Sequence, residues 1–376
     1  MPAMKYNFRR SHAVIKVIGV GGAGGNAINR MIESGIRGVD FIAMNTDAQD
    51  LERNRAPYKL QLGQQMTKGL GVGGDPARGR KAAEESMEQI KEAVAGTNLL
   101  FVTAGMGGGT GTGAAPYVAK IARELGGEDI LIVGVVTKPF EGEGEYKAKL
   151  AEDGVRELKQ YADSWLIVPN ENIFEVIDRS TTTEHAFRRA DDVLRQAIKG
   201  ISEVITTPGR LNVDFNDVKR IMTKSGEALI GIGEMSGENR HVEAAKKAIE
   251  APMLENANLE GSRGLILHFL ADEKLTMYEM EEAAKLIQQK ASRDAIIKYG
   301  QVVDRNMGGT LRLTVMATGF SHEKSLARKK RLPLAPNLEE LSESGMHSEP
   351  VGAELQEIDQ DLVNKPAFLR RKSFRK

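Results

Sequence analysis

Cysteine is absent from the sequence, which removes a disulfide framework, a thiol nucleophile and any thiolate metal site. Net charge is absent too: 52 Lys and Arg balance 52 Asp and Glu, which argues against bulk nucleic-acid binding. No apolar run approaches the roughly 20 residues needed to span a bilayer. Residues 1–12 are basic but lack the apolar stretch of a secretory signal. The six histidines show no ligand spacing, and no internal repeat is visible. The expectation is a cytoplasmic protein with no direct side-chain metal ligands.

Glycine is what the sequence has in excess, 40 of 376 residues, in an otherwise ordinary composition of 41% hydrophobic and 28% charged residues. A chain of this length is expected to form two domains. Near-continuous apolar runs at 14–18, 39–44, 98–103 and 130–136 alternate with helical stretches at 26–32 and 76–95, the pattern of parallel strands buried on both faces. The fold class expected is therefore α/β. A Rossmann-like parallel-sheet domain occupies 13–180 and a long helix 181–206. A second α+β domain follows at 207–320, with strands at 264–271, 295–303 and 310–317 around a helix at 277–292. Residues 321–363 have linker composition. Charge segregates at the end: 337–363 carries eight acidic and no basic residues, whereas 365–376 carries six basic and no acidic ones.

The glycines concentrate in two loops. Gly19-Val20-Gly21-Gly22-Ala23-Gly24-Gly25-Asn26 satisfies G-x-G-x-x-G between a strand and a helix. Glycine there admits a phosphate to the backbone, and the helix N-terminus offers free N–H groups. Alone, this motif equally fits a dinucleotide-dependent oxidoreductase or a tight turn. Gly105-Met106-Gly107-Gly108-Gly109-Thr110-Gly111-Thr112-Gly113 places six glycines in nine positions, more than a turn requires. Its N–H groups make an anion nest, to which Thr110 and Thr112 add hydroxyls. Two such cradles imply a polyphosphate. No G-x-x-x-x-G-K-[ST] occurs, so this is not a P-loop enzyme. The second loop contains no lysine, so phosphate charge is left to N–H dipoles and a metal, most simply Mg²⁺.

The loop Gly105 to Gly113 closely resembles the signature loop of tubulin and of FtsZ, the bacterial tubulin-like cell-division GTPase family. Gly19 to Ala27 resembles the first FtsZ nucleotide loop. Asn45-Thr46-Asp47-Ala48-Gln49 and Thr67-Lys68-Gly69-Leu70-Gly71 resemble the next two. The likeness runs on through Thr137-Lys138-Pro139-Phe140 and Asn212-Val213-Asp214-Phe215-Asn216-Asp217-Val218 to Ala317-Thr318-Gly319. It implies a tubulin/FtsZ-like fold that binds GTP or GDP with Mg²⁺. The contacts it implies come from Gly21, Gly22, Ala23, Gly24, Asn26, Asn45, Gly71, Gly73, Gly105, Gly107, Gly108, Gly109, Thr110, Gly111, Thr112, Gly113, Glu143, Lys147, Asn170, Phe187 and Asp191.

Phe187 and Asp191 lie four apart on the expected long helix, hence on one face. By resemblance Phe187 packs on the purine and Asp191 accepts the guanine N1–H and amino group. Without it they read as a core residue and a solvated charge. Lys147 stands where the family commonly has arginine, and Gly142 where it has phenylalanine. A lysine point charge cannot make the bidentate fork of arginine.

Asn212, Asp214 and Asp217 precede and open a helix starting near Phe215. On spacing alone they read as an N-cap. The resemblance makes them catalytic: in the family this segment reaches the γ-phosphate of the next subunit, where Asp214 and Asp217 polarise the attacking water and Asn212 orients it. Head-to-tail filaments, hydrolysis coupled to assembly and a cytokinetic ring at mid-cell follow from that resemblance. Lys365-Pro366-Ala367-Phe368-Leu369-Arg370-Arg371 resembles the family's C-terminal peptide, so 364–376 is expected to dock on division proteins such as membrane-tethering adaptors. A plain basic end, or weak direct adsorption to anionic lipid, are the alternatives. The competing functions are an oxidoreductase and a module that binds GTP without hydrolysis.

Overall fold

The computed structural model describes residues 13–320 apart from 176, 208, 251–258 and 260. The expected N-terminal tail, linker and C-terminal peptide lie outside the described residues. The strands are β1 (Ile15–Val20), β2 (Asp40–Asn45), β3 (Tyr58–Gln61), β4 (Leu99–Gly105), β5 (Leu131–Lys138), β6 (Ser164–Pro169), β7 (Gly226–Ser236), β8 (Gly264–Ala271), β9 (Ile296–Val303) and β10 (Thr310–Thr318). The helices are α1 (Gly21–Glu33), α2 (Ala48–Arg53), α3 (Gln64–Thr67), α4 (Pro76–Glu85), α5 (Met87–Val94), α6 (Thr110–Gly126), α7 (Glu145–Leu158), α8 (Thr183–Thr206), α9 (Phe215–Met222), α10 (Arg240–Ile249) and α11 (Met277–Gln288).

The strands form a ten-stranded sheet in the order β3-β2-β1-β4-β5-β6-β7-β10-β8-β9. From β3 to β6 every pairing is parallel. β10 runs antiparallel between β7 and β8, and β9 is parallel to β8. The two halves meet where Ser164 and Trp165 of β6 pair with Gly226 and Glu227 of β7. This is the mixed α/β architecture read from the alternating apolar runs.

Alternate residues of the parallel strands feed two cores, as a period of two requires. Val17, Phe101, Val133 and Val135 face one side, beneath α1, α8 and α9. Ile18, Leu100, Val102 and Ile132 face the other, beneath α4 to α7. The first core also takes in Ile230, Ile266 and Met316, so a single apolar layer runs under α8 from one half into the other. A third core fills the space between β7, β8, β10 and helices α10 and α11. At 24 residues, α8 is about 36 Å long, enough to span that layer.

Two expected elements differ. The helix expected over 76–95 is two helices broken at Ser86. The Ser86 hydroxyl accepts the N–H of Gly63, just beyond β3, at 3.0 Å. The helix expected from residue 26 already begins at Gly21, with no intervening loop: Gly19 and Val20 end β1, and Gly21 to Gly25 form the opening of α1.

Candidate active site

The C-terminal ends of β1 and β4 deliver the two glycine motifs to one open cavity of ≈ 270 Å³. Its walls include Gly21, Gly22, Ala23, Gly105, Gly107, Gly108, Gly109, Thr110, Gly111, Glu143, Lys147, Asn170 and Phe187, together with Val20, Met106, Thr137 and Pro139. Two helices start there, α1 and α6. Neither N-terminus is capped by a side chain and neither has an acidic residue in its first turn. Their free N–H groups and positive dipole ends therefore make the cavity attractive to an anion.

The glycines of these loops divide by what a side chain would meet. A Cβ on Gly24 would strike the Thr103 carbonyl at 2.5 Å, one on Gly111 the Gly105 carbonyl at 2.5 Å, and one on Gly113 the Pro76 carbonyl at 2.0 Å. Gly24 and Gly111 let helix and sheet touch, and Gly113 lets α6 touch α4. Gly108 instead has no heavy atom within 4 Å of the Cβ position, so its open side is free for a ligand, and Gly73, in the loop before α4, is open too but does not line the cavity. Gly21 and Gly107 have φ of +73° and +105°, conformations that other residues avoid.

Other side chains brace the loops. Thr112 is buried and accepts the Gly107 N–H at 2.8 Å. The Thr46 and Thr110 hydroxyls lie 2.7 Å apart, linking the end of β2 to the start of α6. Asn45 is buried, donates to Asp50 at 2.6 Å and accepts the Thr46 N–H. Gly71 donates its N–H to the Thr46 carbonyl at 3.2 Å. Lys147 is held by Glu143 at 3.0 Å.

At the other side of the cavity, Asn170 is 9% exposed and its Oδ1 has no hydrogen-bond partner. A buried acceptor left unpaired costs about 1–3 kcal/mol, and a ligand hydroxyl or N–H would satisfy it. Phe187, 53% exposed, stands edge-on to Phe140 with ring centres 5.6 Å apart, and offers a face for a planar base. Asp191, half-buried one turn further along α8, has its carboxyl pushed up to about 7 by burial, against the opposing pull of Arg30. Asn26 is exposed on α1, immediately after Gly25.

The acidic segment lies elsewhere. Neither Asn212, Asp214 nor Asp217 lines the cavity. The C-terminal end of α9 is tied to the turn before β5: Lys219 donates to the Asp129 carbonyl at 3.0 Å, and Lys224 pairs with Glu128 at 2.8 Å. That turn sits at the N-terminal end of β5, whereas the phosphate-type loops leave the C-terminal ends of β1 and β4. The eight residues of β5 separate the two ends by about 26 Å. Within the segment, Val213 and Val218 are buried while Asn212 and Asp214 are exposed. Asp214 caps α9 by accepting the Asp217 N–H at 2.7 Å, and Asn212 accepts the Gly209 N–H at 2.7 Å.

Residues 14–178 match the model of the Tubulin/FtsZ family GTPase domain, and residues 226–321 match the FtsZ family C-terminal domain. An FtsZ dimer from M. jannaschii, solved empty, is 42% identical to this chain over 83% of it and 89% of its own length, with a TM-score of 0.76. The chain belongs to the tubulin/FtsZ family. Two CetZ structures from Haloferax volcanii, CetZ2 as a GTPγS-bound protofilament and CetZ1 as a GDP-bound monomer, share the fold at 20% identity, with TM-scores of 0.71 and 0.72.

As a member of the tubulin/FtsZ family, the chain carries the family's GTPase domain. Val20, Met106, Thr137 and Pro139 line its cavity although none was singled out as a ligand contact in the sequence. Thr137 and Pro139 belong to the Thr137-Lys138-Pro139-Phe140 motif, which was the available signal. Among the described residues no group of three or more His, Asp or Glu side chains could hold a metal ion.

Proposed function

We propose that this chain is a GTPase that assembles head-to-tail into filaments and hydrolyses GTP where one subunit meets the next. The observation that carries the reading is the separation of the parts. The nucleotide cavity opens at the C-terminal ends of the parallel strands, while Asn212, Asp214 and Asp217 lie toward the opposite end. No single subunit joins them. A head-to-tail contact would, and such a contact is heterologous and propagates as a filament. The M. jannaschii FtsZ structure is of a dimer, which supports self-association here.

In this reading the N-termini of α1 and α6 hold the phosphates, the unpaired Asn170 Oδ1 and Phe187 take the sugar and base, and Asp191 reads guanine. Mg²⁺, when bound, would supply neutralisation of the phosphate charge. It would come with the phosphates that the N-termini of α1 and α6 hold. From the neighbouring subunit Asp214 and Asp217 polarise the attacking water and Asn212 orients it. Phosphoryl transfer asks for little beyond such positioning and charge stabilisation.

The cellular role proposed is the cytokinetic ring, in the cytoplasm at mid-cell, with residues 364–376 docking on division proteins and membrane-tethering adaptors. Contact with membrane is then indirect or weak, and nucleic acid is not a partner. Identity of 42% with FtsZ against 20% with CetZ favours division over other cytoskeletal roles. Light scattering and phosphate release, followed together after adding GTP and Mg²⁺, test the coupling. Both should appear above the same threshold protein concentration. Hydrolysis per subunit that is independent of dilution would contradict it, and binding with no hydrolysis would leave a non-catalytic GTP module.

A further inference from the structure

Asp217 is paired with Lys298 of β9 at 2.7 Å, and both side chains are partly exposed. Asp214 and Asp217 are therefore held by different devices. The helix backbone fixes Asp214, as the N-cap of α9. Asp217, three residues on, makes its ion pair with a separate element.

β9 supports the acidic segment along its length. Arg210 donates its N–H to the Gln301 carbonyl at 2.9 Å, and Gln301 returns its own N–H to Leu211 at 2.9 Å. Side chains two apart on a strand share a face, so positions 298 and 300 face the same way. At Gly300 a Cβ would meet Val213 at 3.3 Å, which shows that this face lies beneath the segment. Lys298 thus rises from the strand that carries the segment's backbone and takes hold of its second carboxylate.

Charge gives that contact a purpose. The phosphate loop Gly105 to Gly113 carries no lysine. Two carboxylates presented to a triphosphate would meet strong like-charge repulsion, and an ammonium beside one of them halves their net charge. We propose that Lys298 is a positioning residue for Asp217, holding and neutralising that carboxylate so that the segment can meet a neighbour's nucleotide. The inference rests on the shared-site reading above.

A double-mutant cycle in the full chain tests it, with phosphate release per polymerised subunit and pelleted polymer as readouts. Lys298→Met should lower hydrolysis about tenfold, the scale of one charge-assisted hydrogen bond, and Lys298→Arg should restore most of it. In an Asp217→Asn background, Lys298→Met should change the rate by less than about twofold, because its only route is through Asp217. GTP affinity should stay parental throughout. If Lys298→Met unfolds at lower denaturant than the parent, Lys298→Gln takes its place. Parental hydrolysis by Lys298→Met or Lys298→Gln overturns the proposal, as does a full multiplicative loss in the double variant. Parental hydrolysis by Asp217→Asn alone would overturn the shared-site reading itself, and a loss in Asp217→Asn with none in Lys298→Met would sink the positioning role while leaving that reading intact.

Discussion

Burial on α8 pushes the Asp191 carboxyl up to about 7, with Arg30 opposing and Asp192 adding to the shift. Guanine presents N1–H and an amino group, both donors, so a carboxyl that reads it must be ionised and binding must release a proton. Affinity for GDP should therefore fall as pH drops through 7, approaching tenfold per pH unit below it, and level off above about 8. Asp191→Asn should bind more weakly and lack this step. The phosphates titrate in both proteins, so their contribution cancels in the ratio. Identical pH profiles by calorimetry would show that Asp191 does not read the base. Asp214 carries two burdens that can be separated in the same spirit. Asp214→Asn keeps an N-cap of similar quality, whereas Asp214→Ala removes one worth about 1 kcal/mol. Both variants should lose hydrolysis, and the alanine variant alone should lose stability in denaturant titration. Retained GTPase activity in Asp214→Asn would return this residue to a purely capping role.

Among the elements, α10 packs on β7 so closely that a Cβ on Gly233 would lie 1.9 Å from the Ala244 carbonyl. Gly233→Ala should lift that helix and cost about 3 kcal/mol, the upper end of overpacking, measured as a lower denaturation midpoint. A change under about 0.5 kcal/mol would mean that the helix is free to shift. This glycine also explains why β7 was hard to read in the sequence. Gly226, Gly231 and Gly233 with Glu227 and Glu234 dilute its apolar pattern, although the strand is eleven residues long. α7 was hidden for a related reason, since small Ala151 and Gly154 supply much of its buried stripe. By contrast β1, β4 and β5 are buried on both faces and read as plain apolar runs. The glycine loops were legible because backbone recognition of phosphate leaves a local mark. That Gly24 and Gly113 leave room for close packing was not legible, because their neighbours Thr103 and Pro76 come from other parts of the sequence. The hold of Lys298 on Asp217 joins residues 81 positions apart and exists only once β9 lies under α9.

On the scale of the whole molecule, the two ends are chemically unlike. One end offers two uncapped helix N-termini, an unpaired buried acceptor and an exposed aromatic face. Toward the other lies an acidic segment held by its helix cap and by Lys298. Single-layer continuity of the core under α8 keeps those ends in fixed register, so stacked subunits would repeat the same junction. The most direct measurement is hydrolysis by mixtures of two impaired subunits. Asp217→Asn retains an intact cavity, and Gly107→Ser with Thr110→Ala retains the acidic segment while spoiling the phosphate loop. Co-sedimentation first establishes that the two enter the same polymers. Each should be nearly inactive alone, and mixtures should release phosphate faster than the sum of the two, with a maximum near equal proportions. Co-assembled mixtures whose rate is only additive at every ratio would contradict a site shared between subunits.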